Sequence, residues 1–335
     1  MVDFLPADAA AWARYRLRAM ILCEAPMSDF LIQPLLEADL AAAREVVREA
    51  FATFMGVAAP GEFWNDRDYV EGRWRAPHTA WFKIELEGEL AAVAGVARWG
   101  SHGVVGPVAV RPVYWERKLA KALMAAATGQ LDAWGVTHAG LFTFPDSPRH
   151  LGLYQGFDFW PQALTAVMER PVAARPSAVA PATPLLTTAE LRACAELTHS
   201  IAQGLDVSGE LQAVDSLKLG ANLLLRSPSG ELEGFAACHF GPRSEAGEGV
   251  CYVKFAVVRG GDQAPARLDR LLAACESLGA SHGQRSLMLG VNTGRQQAYQ
   301  HLLGAGFAMR ILGITLHRGS AGYDLPDRWV FDDWR

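Results

Sequence analysis

Apolar positions between residues 105 and 170 change their spacing several times, which predicts alternating strands and helices. A β-branched run ends at Val110, Pro112 interrupts it, and apolar residues then recur at helical spacing over 119–131. Gly135 is typical of a residue that ends such a helix. The elements predicted after it are a short strand at 140–144, a short helix at 150–154 and a strand at 159–168.

The same alternation precedes this stretch. A strand is predicted at 30–35, and Asp39 is a typical N-cap for the amphipathic helix that follows it. Two further strands, 80–85 and 90–99, flank the dipeptide Glu87-Gly88, which predicts a hairpin.

The chain also repeats itself. Residues 171–184 are rich in Pro, Ala and Ser and predict an extended linker, beyond which the pattern begins again. Matched residues lie a constant 148 positions apart: Val110 and Val258, Leu123 and Leu271, Gly135 and Gly283, Phe159 and Phe307, Arg170 and Arg318. This offset predicts a duplicated domain. The predicted parts are an N-terminal extension at 1–26, domains at 27–170 and 185–335, and the linker at 171–184.

Composition limits the classes of function. The net charge is −5 with a pI near 6.0, and no basic face stands out, so a nucleic-acid partner is not expected. Five scattered cysteines without C-x-x-C spacing predict reduced thiols in a cytoplasmic protein and no metal site. No apolar run approaches membrane-spanning length, and residues 1–26 are interpreted as an accessory helix or a frayed extension rather than a signal peptide.

The order of elements over 105–170 resembles the core of the GNAT superfamily of N-acetyltransferases. Its members bind the pyrophosphate of acetyl-CoA at the turn between strand and helix, with a pattern of roughly V-x-P-x-x-[RQ]-x-x-G-x-[GA]. Val110 and Pro112 match the start, Ala120 matches the end, Trp115 stands at the Arg/Gln place and Lys118 at the first glycine. Lys118 either adds a charge for the phosphate or blocks it. The resemblance implies a donor-binding stretch made of Val108, Val110, Arg111, Trp115, Glu116, Arg117, Lys118, Leu119 and Ala120.

A second GNAT motif, Y-x-x-x-G-F, ends such a core. Tyr154 and Phe159 match it, with Asp158 in the glycine place. In the family this tyrosine lies near the sulfur of CoA and protonates the leaving thiolate. The resemblance implies that role for Tyr154, and the alternative is an amphipathic core tyrosine whose hydroxyl is satisfied elsewhere.

The candidates for a general base are His102 and three carboxylates of one loop region, Glu62, Asp66 and Asp68. His102 precedes the central strand, where GNAT enzymes often place such a group, and the three carboxylates lie in the region where they bind acceptors. Each of the four is also compatible with an ordinary structural position.

The second copy matches the end of a GNAT core at Asn292, Ala298 and Phe307, but Leu302 stands where the first copy has Tyr154. Its turn carries Asp262, which would repel phosphate. The first copy is therefore the predicted working site. The tail over 322–335 mixes aromatic and acidic residues, and it either covers a site or packs as a terminal arm.

These patterns together predict an α/β fold with two GNAT-like domains in tandem, each with a mixed, strongly curved sheet and helices on both faces. The predicted activity is transfer of acetyl from acetyl-CoA to an amine of a small acceptor by direct attack, and a homodimer is possible. Two alternatives remain: a non-catalytic scaffold or acyl-CoA binder whose turns have lost phosphate binding, and an enzyme for a longer acyl-CoA or an acyl carrier protein.

Overall fold

Strands and helices alternate along the chain much as the apolar pattern predicts. A computed structural model describes residues 30–64, 66–172, 185–319 and 322–335. Within them the strands are β1 (Ile32–Pro34), β2 (Thr79–Leu86), β3 (Glu89–Trp99), β4 (His102–Val110), β5 (His138–Thr143), β6 (Trp160–Pro171), β7 (Gly220–Arg226), β8 (Leu232–His239), β9 (Val250–Val258), β10 (Ser286–Asn292), β11 (Ala308–Gly319) and β12 (Val330–Phe331). The helices are α1 (Leu40–Phe54), α2 (Glu71–Arg75), α3 (Leu119–Ala133), α4 (Pro148–Gln155), α5 (Thr188–Ile201), α6 (Ser208–Ser216), α7 (Ala264–Ser281) and α8 (Gln296–Gly304).

The predicted duplication is visible in the bounds of these elements. Strands β9 and β11 begin and end 148 residues after β4 and β6, and β10 begins 148 residues after β5. The two copies therefore fold alike over the core of each half. The proposed extension at 1–26 and nearly all of the linker lie outside the described residues.

Asp39 does not cap α1 as predicted. It stands at the N-cap position, but its carboxylate makes no hydrogen bond to the first turn of the helix. Instead it accepts the amide of Leu36 at 2.8 Å and pairs with Lys83 at 2.8 Å. A 3₁₀ turn over Glu37–Asp39 precedes the helix, so the carboxylate closes that turn.

One sheet runs through both copies. Its strand order is β1-β2-β3-β4-β5-β11-β6-β10-β9-β8-β7, with β12 paired to β9. The last strand of each copy is exchanged: β11 pairs with β5, and β6 pairs with β10. The linker thus separates two chain segments whose strands share one sheet, and the domain boundaries remain a prediction.

Helices cover the sheet and close its cores. Strand β3 is buried over seven consecutive residues, so both of its faces are covered. The apolar face of α1 packs with Trp81, Val93 and Ala109, while α3 contacts β3 and β4. Among the described helices, none is long and apolar enough to cross a membrane. Residues 32–335 form one compact unit.

Candidate active site

Strands β4 and β5 begin as a parallel pair and then part. Their pairing covers only His102 to Val104 on β4, opposite residues 138–140, although β4 continues to Val110 and β5 to Thr143. Beyond Val104 the edge of β4 that faces β5 is open. We call this gap, bordered by residues 105–110 of β4 and 141–143 of β5, the first opening.

Main-chain polar groups of β4 line the first opening. The Arg111 amide donates to the carbonyl of Ala91 on β3, which fixes the pattern of hydrogen bonds along this antiparallel pair. Because these bonds alternate, the N–H and C=O groups of Val108 and Val110 point away from β3, into the opening. The Trp115 indole donates to the Val110 carbonyl at 2.7 Å, so it satisfies one of these groups.

The turn after β4 has the backbone of a phosphate-binding loop. Glu116 and Lys118 both have left-handed φ angles, +68° and +62°. Lys118 thus adopts a conformation that favours glycine, at the place where the family pattern has glycine. Within the described residues, the amides of 116–121 have no hydrogen-bond acceptor. Free amides at a left-handed turn before a helix form an anion-binding concavity.

The charged side chains of this turn differ in their availability. Arg111 is turned away, because it donates to the Leu90 carbonyl at 2.9 Å and to Glu49 at 2.6 Å. Glu116 pairs with Arg149 of α4 at 3.2 Å, and both are exposed. Lys118 is exposed and has no ion-pair partner among the described residues. The Arg111 side chain is therefore committed to β3 and α1, while Lys118 remains available to an anion.

The other predicted donor-site residues follow the course of the turn. Arg117 is exposed, lies 3.4 Å from Glu87, and covers the ring of Tyr114. Leu119 is buried and Ala120 is half-buried at the start of α3. Their amides, rather than their side chains, face the place where a phosphate would bind.

Tyr154 lies on α4 beside the end of β5, 9 % exposed. Burial raises the pKa of the phenol to about 12, and the neighbouring Thr143 side chain offsets part of this rise. The β4–β5 pairing ends at Val104 and Gly140, and Thr143 lies three residues beyond that point on β5. The structure therefore brings the Tyr154 hydroxyl to the first opening with its proton retained.

His102 and Glu62 are placed elsewhere. Glu62 is exposed on a 3₁₀ turn, Pro60–Glu62. His102 is buried at the closed end of the β4–β5 pair, with ring-centroid distances of 4.9 Å to His138 and 5.7 Å to Tyr323. The structure does not bring either residue to the Tyr154 end of the opening, and their role as bases remains a prediction.

The buried histidines predict acid sensitivity. Burial, with a contribution from His138, lowers the pKa of His102 to about 3, and burial also holds the pKa of His317 well below its usual value. The unfolded chain, with a histidine pKa of about 6.5, then binds more protons than the folded chain below that pH. We expect the free energy of unfolding to fall by about 1.4 kcal/mol per pH unit for each such histidine below pH 6.5. His102→Phe should flatten this slope in chemical denaturation, and the exposed His199→Gln should not.

The corresponding gap of the second copy is filled. Strands β9 and β10 pair over 250–253 and 286–289 and then part, as β4 and β5 do. Here β12 occupies the gap: Phe331 pairs with Ala256, and the Val258 amide donates to the Trp329 carbonyl at 3.0 Å. Ala256 and Val258 are the counterparts of Val108 and Val110. The tail therefore binds main-chain groups of β9 whose counterparts on β4 border the first opening.

The tail is fixed in this position by a buried arginine. Arg295, 0 % exposed, donates to Asp324 at 2.8 Å, to Asp332 at 3.2 Å and to the Val330 carbonyl at 2.8 Å. The ring of Tyr323 stacks under its guanidinium group. Of the two sequence interpretations of the tail, the structure agrees with a packed terminal arm.

A small pocket is lined by residues of both copies. We call it the junction pocket. Its lining combines β4 residues Val104 and Gly106 with charged and aromatic side chains of both copies, including Arg73, His78, Trp81, Trp99, Glu210, His239, Glu245 and Lys254. No local pattern predicts this pocket, because its walls come from segments far apart in the chain.

An ion-pair network crosses the junction pocket. Arg73 binds both oxygens of Glu245, at 2.9 and 2.6 Å, and donates to the Gly106 carbonyl at 3.2 Å. Lys254 binds the same carboxylate at 2.9 Å. Burial alone would raise the pKa of the Glu245 carboxyl, but Arg73 and Lys254 outweigh it and hold this pKa well below its usual value.

Comparison with known proteins agrees with this description. Residues 44–159 match the model of the acetyltransferase (GNAT) family. No curated protein sequence is similar enough to count as a match. A putative acetyltransferase from Pyrococcus horikoshii superposes with a TM-score of 0.65 at 15 % identity, covering 91 % of this chain and 95 % of its own.

Two further solved structures are similar over most of the chain. A GCN5-related N-acetyltransferase from Sphaerobacter thermophilus gives a TM-score of 0.56 at 17 % identity, over 90 % of this chain and all of that one. A tandem GNAT protein from the clavulanic acid biosynthesis pathway gives 0.53 at 14 % identity, over 88 % and 100 %. At these identities the likeness concerns the fold.

Proposed function

Because this chain carries a GNAT-family domain over residues 44–159 and has the fold of tandem GNAT proteins, we propose that it is an N-acetyltransferase. Acetyl-CoA is the donor, and the acceptor is an amine of a small molecule. The observation that carries the proposal is the first opening, which is bordered by main-chain groups of β4, by the free amides of the turn after it and, on the β5 side, by a protonated tyrosine.

The first opening suits the chemical parts of acetyl-CoA. The diphosphate meets the free amides of 116–121 and the charge of Lys118. The pantetheine arm carries amides, which suit the main-chain groups of Val108 and the N–H of Val110, since the Val110 carbonyl already accepts from Trp115. With the diphosphate at the turn, the arm leads back along β4 toward Gly106, and the thioester comes level with Tyr154.

The residues of this site then serve direct acyl transfer. The neutral amine forms a C–N bond to the thioester carbonyl, and the C–S bond breaks. Tyr154, whose pKa is about 12, gives its proton to the departing thiolate. The nitrogen loses a proton to a base, so that the products are an amide and free CoA.

The second copy supports the fold but does not bind a donor in this proposal. Strand β12 occupies the groups that a pantetheine arm would need there, and Leu302 replaces the tyrosine. The scaffold alternative thus applies to the second half, while the first half retains the features of an enzyme. The proposal places the protein in the cytoplasm, where the free cysteines of the described chain would remain reduced.

Calorimetry with acetyl-CoA tests the donor site. We expect one molecule bound per chain. Lys118→Asp should weaken binding about tenfold relative to Lys118→Asn, since one charge near a phosphate changes the binding energy by about 1.4 kcal/mol. The two variants form a matched pair, because Asn and Asp have nearly the same shape and both tolerate a left-handed backbone.

The outcome separates the alternatives. If calorimetry detects no binding at millimolar acetyl-CoA, the scaffold interpretation is supported and the enzyme proposal is rejected. Two molecules bound per chain contradict the blocked second copy. Equal affinities for the Asp and Asn variants place the phosphate away from Lys118. Binding of a longer acyl-CoA in preference to acetyl-CoA favours the alternative donor.

A further inference from the structure

We propose that a pocket between α1 and the loop that leads into α2 binds a small molecule with one carboxylate group on an apolar body, and that Arg67 binds the carboxylate. We call this site the α1 pocket. It lies apart from the first opening, since none of its lining residues belongs to β4, β5 or the turn after β4. Binding at this site depends neither on the donor nor on catalysis, so it goes beyond the proposed function.

The α1 pocket is large enough for a small organic molecule. One side of α1 and the loop before α2 enclose about 240 Å³. A cavity needs about 10–15 Å³ to admit one water molecule, so this volume has room for a ligand of several non-hydrogen atoms. The apolar part of the lining comes from Val47, Val70 and the rings of Trp64 and Tyr69, whose centroids are 4.7 Å apart.

Five charged side chains line the α1 pocket: Arg44, Glu45, Arg48, Arg67 and Asp68. Glu45 pairs with Arg48, and Asp68 pairs with Arg44 at 3.3 Å. Three guanidinium groups and two carboxylates leave one positive charge, and that charge is on Arg67. The pocket therefore favours a ligand with a single negative charge over a neutral ligand of the same shape.

Arg67 is the cation of this pocket that has no partner. Its Nε is buried and has no hydrogen-bond acceptor within the described chain, and no carboxylate of that part forms an ion pair with the group. The neighbouring Asp66 accepts the Glu248 amide at 2.6 Å, is exposed to solvent and does not line the pocket. A carboxylate matches the planar fork of a guanidinium group with two parallel hydrogen bonds, so it satisfies donors that are costly to leave unpaired.

Asp68, one of the predicted bases, is committed to the fold and does not compete for Arg67. It is 2 % exposed, and its Oδ1 accepts the amides of Val70 and Glu71 at 2.8 and 2.9 Å, at the start of α2. Its other oxygen pairs with Arg44. The carboxylate of Asp68 thus stays with α2 and Arg44, which leaves Arg67 to a ligand.

The second copy holds Arg67 in place before a ligand arrives. The Asp68 amide donates to the Ser244 carbonyl at 3.0 Å, which anchors the loop next to Arg67. The Arg67 side chain lies against Gly247, whose φ is +82°, and a Cβ at residue 247 would collide with the Arg67 Nε. A side chain that is already positioned loses less conformational freedom when it binds a ligand.

These features limit the class of ligand. One negative charge matches the one unpaired cation, whereas the dianion of inorganic phosphate exceeds it and leaves the apolar lining unused. A planar guanidinium group prefers the planar carboxylate. The rings of Trp64 and Tyr69 favour a flat body, because offset aromatic contacts add to the apolar area that is buried. An aromatic monocarboxylate combines these properties.

Calorimetry of the full chain with benzoate tests the site, and benzamide is the neutral control of the same shape. We expect one benzoate bound per chain, at least tenfold more tightly than benzamide, with the same Kd in the presence and absence of saturating acetyl-CoA. Equal affinities for benzoate and benzamide, or no binding of benzoate, overturn the inference. Tighter binding of inorganic phosphate than of benzoate overturns the carboxylate class. Displacement of benzoate by acetyl-CoA places the probe at the first opening and overturns the α1 pocket.

Arg67→Met tests the role of the guanidinium group, because methionine keeps an apolar stem and removes the charge. We expect the Kd for benzoate to rise at least tenfold and to approach that for benzamide, while Arg67→Lys gives an intermediate value. Arg192→Met removes an exposed arginine of α5 that pairs with Glu196, and it should leave the Kd unchanged within about twofold. A folded Arg67→Met variant that binds benzoate as the wild type does overturns the role of Arg67.

A fluorescence measurement locates the ligand without changing a charge. Trp64 lines the α1 pocket, so benzoate should change the tryptophan emission of the wild type. Trp64→Phe should remove this change and keep an aromatic ring in the wall. A benzoate-dependent change of the same size in the Trp64→Phe variant places the ligand elsewhere and overturns the inference.

Discussion

Replacing Arg295 with methionine is expected to lower the free energy of unfolding by about 3–5 kcal/mol. The guanidinium group is fully buried and is bound by Asp324, Asp332 and the Val330 carbonyl. Methionine removes the charge and leaves two buried carboxylates without their cation. Because every one of these partners belongs to the tail, the loss should also release β12 from the second copy. Urea denaturation of wild type and variant measures the difference.

The pH dependence of this loss identifies its cause. Without the guanidinium group, burial raises the pKa of Asp332 further above its usual range, so the folded variant binds a proton that the unfolded chain does not. The destabilisation should therefore shrink as the pH falls from 8 to about 5. Arg310→Met, which breaks a pair between the half-exposed Arg310 and Glu169, is the control and should cost under about 1 kcal/mol. A loss for Arg295→Met that is equal at both pH values would point to packing rather than charge.

The regular elements were predictable because their signals are local. The strand–turn–helix around Pro112, the hairpin at Glu87-Gly88 and the constant offset between the copies all appear in the structure with small shifts of boundary. Helix α6 is not predicted, because Val207 stands at its N-cap and provides no side-chain start signal. Asp39 was misjudged because a 3₁₀ turn places its carboxylate on Leu36 and Lys83.

The donor turn was predictable only in part. The GNAT motif has glycine at the position of Lys118. The motif alone does not show whether the backbone conformation changes when lysine replaces that glycine. The structure shows that Lys118 keeps a left-handed φ of +62°. For an L-residue this conformation costs about 1–2 kcal/mol. Backbone strain of this kind is typical of functional sites, so it is consistent with a turn whose left-handed backbone is needed to bind an anion.

The features that distinguish the two copies depend on contacts distant in sequence. The exchange of β6 and β11 joins strands whose pairing no local periodicity specifies. The tail was recognised as aromatic and acidic, yet its place on β9 follows from Arg295 and from the gap that β9 and β10 leave open. The junction pocket likewise joins His239 to Gly106 across the two copies.

Tyr154→Phe is expected to lower kcat for acetyl transfer by about 100-fold or more, the usual range for loss of a positioned general acid. The change removes only the hydroxyl, which lies beside Thr143 at the edge of the first opening. The Kd for acetyl-CoA should change less than twofold, because the turn amides and Lys118 are untouched. Calorimetry and release of CoA thiol measure the two quantities.

Tyr114→Phe serves as the matched control, since Tyr114 is also buried in the first half but lies under Arg117 at the turn. It should keep kcat within about twofold, because no acid is removed.

The pH profile of kcat adds an independent check. With a pKa of about 12, Tyr154 keeps its proton while the amine loses its own, so wild-type kcat should not fall between about pH 8 and 10. The acid role is contradicted if Tyr154→Phe leaves kcat unchanged. It is also contradicted if wild-type kcat falls below pH 10 and the variant abolishes that fall. Either result would leave Tyr154 with the structural role of a core tyrosine.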